Sequence, residues 1–78
     1  MKEMDLQGCI QKPSDLKVCK KCNRLNWYEN ETCISQDCRS EVFLEDEDIV
    51  VCVIEEEYKF YKEEGFSEIE VDNIFIEV

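Results

Sequence analysis

Apolar positions in the second half of the chain recur at helical spacing. Val51, Ile54, Tyr58 and Tyr61 fall at offsets 0, 3, 7 and 10, and Val50, Val53 and Phe60 widen the stripe. The acidic run Glu45–Asp48 precedes it, with Asp48 as N-cap and carboxylates placed to interact with the helix dipole. Gly65 follows as a stop, in a position that needs positive φ. The pattern therefore predicts a helix over 46–64. The β-branched run Ile49–Ile54 offers a competing strand, with the helix then starting near Glu55. Beyond Gly65, Ser67 and Glu70 form a capping box, Phe66 and Val71 take the two positions of a hydrophobic staple, and Val71, Ile74, Phe75 and Val78 recur at 0, 3, 4 and 7. This predicts a second helix over 67–78, packed as a hairpin on the first. A β-hairpin turning at Asp72-Asn73 is its competitor.

The first half lacks such a period. Gly8 and Pro13 interrupt residues 1–14, which read as an irregular arm. Residues 15–40 have room for short strands and turns, and Glu41–Glu45 alternates briefly. A chain of 78 residues with so little patterned apolar surface needs a staple, and six cysteines offer one.

The cysteines divide unevenly. Cys19-Lys-Lys-Cys22 and Cys33-Ile-Ser-Gln-Asp-Cys38 are two short-spaced pairs separated by ten residues. A Cys-x-x-Cys bend presents two sulfurs to one ion, and a second pair completes a tetrahedron. Cys19, Cys22, Cys33 and Cys38 are thus the expected ligands of one zinc ion, which supplies folding free energy and has no open position for water. Iron also fits four thiolates. A redox dithiol at Cys19 and Cys22 is the competing reading, and the second pair argues against it. Cys9 reads as an unpaired thiol rather than a spare ligand, and Cys52 as a small buried hydrophobe. The N-terminus has no apolar signal-like stretch and no run approaches membrane-spanning length, so an intracellular, cytoplasmic (or nuclear) protein is expected, where clustered cysteines bind metal more often than they cross-link. An extracellular disulfide miniprotein is the alternative.

Following Cys22, Asn23-Arg-Leu-Asn26-Trp27 leads to Cys33. Cys19, Cys22, Asn26, Trp27 and Cys33 resemble, in identity and spacing, the RanBP2-type zinc finger, Cys-x2-Cys-x3-Asn-x6-Cys-x2-Cys with an aromatic after the Asn. The resemblance covers about twenty residues. It implies two short crossed β-hairpins around one zinc, with Asn26 bracing the backbone. This chain departs from it in the x4 spacing of the second pair, in Val18 where the family has Trp, in Glu29 and Asn30 where RNA-binding members carry Arg, and in Asn23-Arg24 where ubiquitin-binding members carry Thr-aromatic.

Charge changes the functional reading. The net charge is −11, with seven basic and six acidic residues over 1–40 but two and fourteen over 41–78. Such a chain repels nucleic acid and anionic lipid at long range. Lys17, Lys20, Lys21 and Arg24 nevertheless cluster with Trp27 and Tyr28 around the first Cys pair. The fold class expected is a small metal-stapled α+β protein: a four-cysteine zinc ribbon over 15–40 followed by an acidic helical hairpin over 41–78. With no histidine and a closed metal site, it is not expected to be an enzyme. The function expected is a protein-interaction or adaptor module binding another protein through Lys20, Lys21, Arg24, Trp27 and Tyr28. The alternative is a regulator of single-stranded RNA or DNA using the same surface, masked or made selective by the acidic half.

Overall fold

Strand β2 (Leu16–Cys19) is buried at all four positions, and the molecule is arranged on its two sides. In the computed structural model, which describes residues 2–78, β2 is the middle of a three-stranded antiparallel sheet. Its neighbours are β3 (Leu25–Trp27), with Leu16 opposite Trp27, Lys17 opposite Asn26 and Val18 opposite Leu25, and β4 (Phe43–Leu44), with Val18 opposite Leu44 and Cys19 opposite Phe43. Side chains alternate across a sheet. One face therefore carries Leu16, Val18, Leu25, Trp27 and Leu44, which join the hydrophobic core. The other carries Lys17, Cys19, Asn26 and Phe43, the polar wall of the sulfur cluster.

Helix α2 (Glu47–Glu63) covers the apolar face with Val50 and Ile54, both fully buried. The helix reading for this stretch holds and the strand reading of Ile49–Ile54 does not: the 3.6-residue period buries Val50 and Ile54 with Val53 and Tyr58 packed beside them, outweighing local β propensity, whereas Phe60, expected in the stripe, is exposed. The N-cap is Asp46, whose carboxylate accepts from the Asp48 amide at 2.9 Å, so Asp48 lies inside the first turn. Gly65 has φ 104°, with its amide on Lys62 O and the Phe66 amide on Tyr61 O, the paired bonds of a Schellman motif. Cys52 is exposed on the outer side of α2 rather than buried.

Both chain ends differ from expectation. Residues 1–14, read as irregular, contain β1 (Glu3–Asp5), α1 (Leu6–Gln11) and a 3-10 turn at Pro13–Asp15. Asp5 caps α1 by accepting from the Gly8 amide at 3.1 Å, and a Cβ at Gly8 would meet that same carboxylate at 2.6 Å. Leu6 and Cys9, three apart, bury one helical face. Helix α3 is only Glu68–Asp72, with the Ser67–Glu70 capping box in place. The chain then leaves the expected 67–78 helix and forms β5 (Phe75–Glu77), antiparallel to β1 with Met4 opposite Ile76. The β-branched and aromatic residues Ile74–Ile76 favour a strand once a partner exists. That partner is the N-terminus, not the local hairpin at Asp72-Asn73. Among the described residues, two small sheets and three helices thus make one α+β fold around a shared core. Among the described residues no helix is long and apolar enough to cross a membrane.

Candidate metal centre

The two Cys pairs meet on the polar side of β2. Cys19 ends the strand, Cys22 closes the turn into β3, and Cys33 and Cys38 lie in the loop between β3 and β4. The four sulfurs lie within 4.8 Å of one another, the one such cluster of potential ligands among the described residues. Cys19 Sγ is 3.5 Å from Cys38 Sγ, and Cys22 Sγ is 3.6 Å from Cys33 Sγ. A tetrahedron with metal–sulfur bonds of about 2.3 Å has edges of about 3.8 Å, so one thiolate-binding ion fits the space between them.

Backbone geometry prepares both bends. The Asn23 amide donates to Cys19 O at 2.8 Å and the Cys19 amide to Arg24 O at 2.9 Å, tightening the first turn. In the second, the Cys38 and Arg39 amides both donate to Ser35 O at 3.1 Å, and the Cys33 amide donates to Ser40 O at 2.8 Å. The residue after the last cysteine of each pair is left-handed: Asn23 at φ 61° and Arg39 at φ 51°. Asn adopts this region with little cost, whereas Arg does so with strain. The second segment is a turn rather than the β-hairpin of a two-hairpin ribbon. The wider x4 spacing leaves no strand to pair, and the chain returns along the free edge of β2 as β4, with the Lys20 amide on Val42 O at 3.1 Å.

Asn26 joins these pieces. It is fully buried, and its side chain uses its full hydrogen-bonding capacity. Nδ2 donates to Arg24 O at 3.1 Å and to Cys33 Sγ at 3.6 Å, while Oδ1 accepts from the Ile34 amide at 3.0 Å and from Asn30 Nδ2 at 3.2 Å. The donor to sulfur would stabilise a thiolate there. Burial alone would push the Cys19 thiol up, but amide donors from Cys22 and Lys21 and the neighbouring Cys38 and Cys22 thiols bring it down to about 6. Desolvation and the sharing of protons with Cys33, Cys19 and Cys38 push the Cys22 thiol up to about 12. Protons are thus shared unevenly over the coupled thiols, and a cation held among them would favour their thiolate forms.

Lys17 does not belong to the exposed basic patch. It is only 8% exposed, its ammonium donating to Asn30 O and lying 4.0 Å from the Phe43 ring centre. Its parity with Cys19 along the strand was the available signal, since every second residue shares a face. A cation on that face offsets the charge of thiolates. Asn30 and Phe43 were not picked out from the sequence as site residues, because their roles depend on the chain's return at Val42–Leu44.

Of the predicted surface residues, Lys20, Lys21 and Arg24 are exposed on the first turn. Trp27 is elsewhere: half-buried on the core side of the sheet, with Lys2 Nζ 4.1 Å from its ring centre and the Tyr28 ring 4.9 Å away. Tyr28 is exposed and its hydroxyl donates to Glu29 at 2.9 Å. Arg24 shares a cleft of about 530 Å³ with Glu57 of α2 and Glu77 of β5, so the acidic half stands beside this residue without lining Lys20 or Lys21. Comparison with family models, curated proteins and solved structures returns no match.

Proposed function

We propose that this chain is a small zinc protein whose ion is structural and whose surface serves as a non-catalytic protein-interaction module. The convergence of four sulfurs from two bends onto one point carries the reading. With four protein thiolates around zinc, coordination is complete and no position remains for an activated water. The ion's contribution is then to hold the 20–42 segment against β2. Asn26's bracing bonds support the likeness of this segment to a RanBP2-type finger, with the second hairpin replaced by a turn.

The exposed first turn, Lys20, Lys21 and Arg24, is the surface that the metal orders most directly, with Tyr28 beside the hairpin's other end. A protein partner is favoured over nucleic acid. The net charge of −11 opposes a polyanion, and the Trp27 ring, already contacted by Lys2, offers little face to a base. Elemental analysis of protein purified without added metal should find one zinc per chain. Iron, or no metal with disulfides in place, overturns the assignment. Affinity capture from the native cytosol with Lys20→Glu,Lys21→Glu as control then tests the surface. A captured protein lost in the variant supports the interaction role, whereas a ligand that is single-stranded RNA or DNA, with affinity falling steeply in salt, replaces it.

A further inference from the structure

We infer that the C-terminal end of α2, together with the turn into α3, is a docking surface for a basic segment of another protein, one carrying Arg or Lys beside a large apolar side chain. This inference does not rest on the metal centre. Three rings meet here edge to face: Phe60 and Tyr61 with centroids 5.3 Å apart, and Tyr61 and Phe66 at 5.8 Å. Phe60 is 55% exposed and Phe66 42%. Phe60 lies six residues past the buried Ile54, about 240° round the helix, so it cannot share that residue's core face. The Schellman turn at Gly65 instead folds Phe66 back onto Tyr61 and builds an exposed aromatic ledge. Contiguous exposed rings on so small a protein mark a contact surface.

The surrounding charge selects the occupant. Residues 55–70 contain seven carboxylates against two lysines, a net −5, and Lys62 is already 3.8 Å from Glu68. Glu56 and Glu57 precede Phe60 by one turn, and Glu63 and Glu64 follow it by one. This rim disfavours anionic lipid and nucleic acid, which aromatic ledges attract in basic surroundings, and favours a cation. The molecule already pairs lysines with rings at Lys2–Trp27 and Lys17–Phe43, at 4.1 and 4.0 Å. Among the described residues no such cation lies over Phe60 or Phe66. A guanidinium stacked on either ring would face carboxylates on both sides, and an apolar neighbour would cover the rest of the ledge.

The test titrates the full chain with three labelled synthetic peptides of equal length. The first alternates Arg and Leu at helical spacing, the second has Arg at the same positions with Ala for Leu, and the third has Glu for Arg. Anisotropy at several salt concentrations and amide shifts in the unmodified protein are read out. The Arg/Leu peptide should bind at least about tenfold tighter than the Arg/Ala peptide, and the Glu peptide not at all. Shifts should centre on residues 56–66. Phe60→Ala,Phe66→Ala should weaken binding about tenfold or more without changing zinc content, and Glu56→Gln,Glu63→Gln should flatten the salt dependence. Phe60→Gln, at a solvent-facing position, repeats the test if the double variant does not fold. Equal binding of the Arg/Leu and Arg/Ala peptides, shifts centred outside 56–66, or indifference to the Phe substitutions overturns the proposal. Self-association lost on the same substitutions overturns it too, because the occupant would then be a second copy.

Discussion

The two faces of β2 are stabilised by different physics. On one, Leu16 and Val18 lie against Val50, Ile54, Cys9 and Val78, all buried apolar groups whose contacts tolerate small shifts. On the other, Cys19 and Lys17 face a loop held by sulfur and by directional bonds to Asn26 and Asn30. Between Lys20 and Val42 only Leu25, Asn26, Asn30 and Cys33 are buried, too little apolar surface to order that length of chain. Hydrophobic burial accumulates over many contacts, whereas a metal site concentrates its stabilisation at one point. The small fold has a place for both: buried apolar groups on one side of a single strand, and on the other four sulfurs close enough to hold a metal ion.

Removing the ion should give the largest effect and the sharpest division. A strong chelator should withdraw stabilisation on the order of 10 kcal/mol. Amide exchange should then rise first over 20–42, while α2 and the β1–β5 pair keep measurable protection. Simultaneous loss everywhere would show that the apolar face cannot stand without the other. Unchanged exchange in 20–42 would remove the metal from the account.

Single substitutions should cost similar amounts on the two sides and yet act differently on the ion. Ile54→Ala opens a cavity in the apolar face and should destabilise by about 2–5 kcal/mol with zinc affinity little altered. Asn26→Ala removes the acceptor of the Ile34 amide, a bond to Asn30 Nδ2 and one of the donors to Arg24 O, and should cost about 2–3 kcal/mol together with a fall in zinc affinity. Paired denaturation and competition titrations measure both quantities. Equal effects on affinity would erase the distinction between the faces.

Alkali should act on the apolar side. Burial, then the nearby Asp5 charge, pushes the Cys9 thiol from 9.0 up to about 11. Above pH 9 the unfolded chain releases this proton while the folded one retains it. Stability is therefore unaffected by Cys9 below pH 9 and falls as pH rises toward 11. Desolvation, and then the Tyr58 hydroxyl's 2.6 Å hydrogen bond to Asp72, raises the Tyr58 pKa and extends the same trend to higher pH. Cys9→Ala should flatten the lower part of this slope, and Tyr58→Phe the upper part, in denaturation midpoints followed from pH 8 to 11. The smallest effect expected is a gain: Arg39→Gly relieves a left-handed backbone position and should stabilise the zinc-bound form by about 1 kcal/mol. The same change at Asn23 should yield less.

Local chemistry was readable at several places where it is encoded within a few residues, although the Asp5-capped helix α1 and the Asp46 cap of α2 were not. The sulfur cluster follows from two Cys pairs, the α2 helix from its period, the Schellman stop from Gly65 and the α3 cap from Ser67 and Glu70. All of these are short-range patterns whose geometry depends on neighbours in sequence. The sequence by itself also pointed to the four thiols that come together. Only the tertiary structure decided that β5 pairs with β1, that Phe43–Leu44 completes the first sheet, and that Lys17 is buried over Phe43. It also placed Cys9 inside and Cys52 outside. These outcomes depend on which distant segment occupies a strand's free edge or a helix's open face. Hydrogen-bonding groups on an edge carry no address, so a propensity such as that of Ile74–Ile76 stays ambiguous until a partner arrives from elsewhere in the chain.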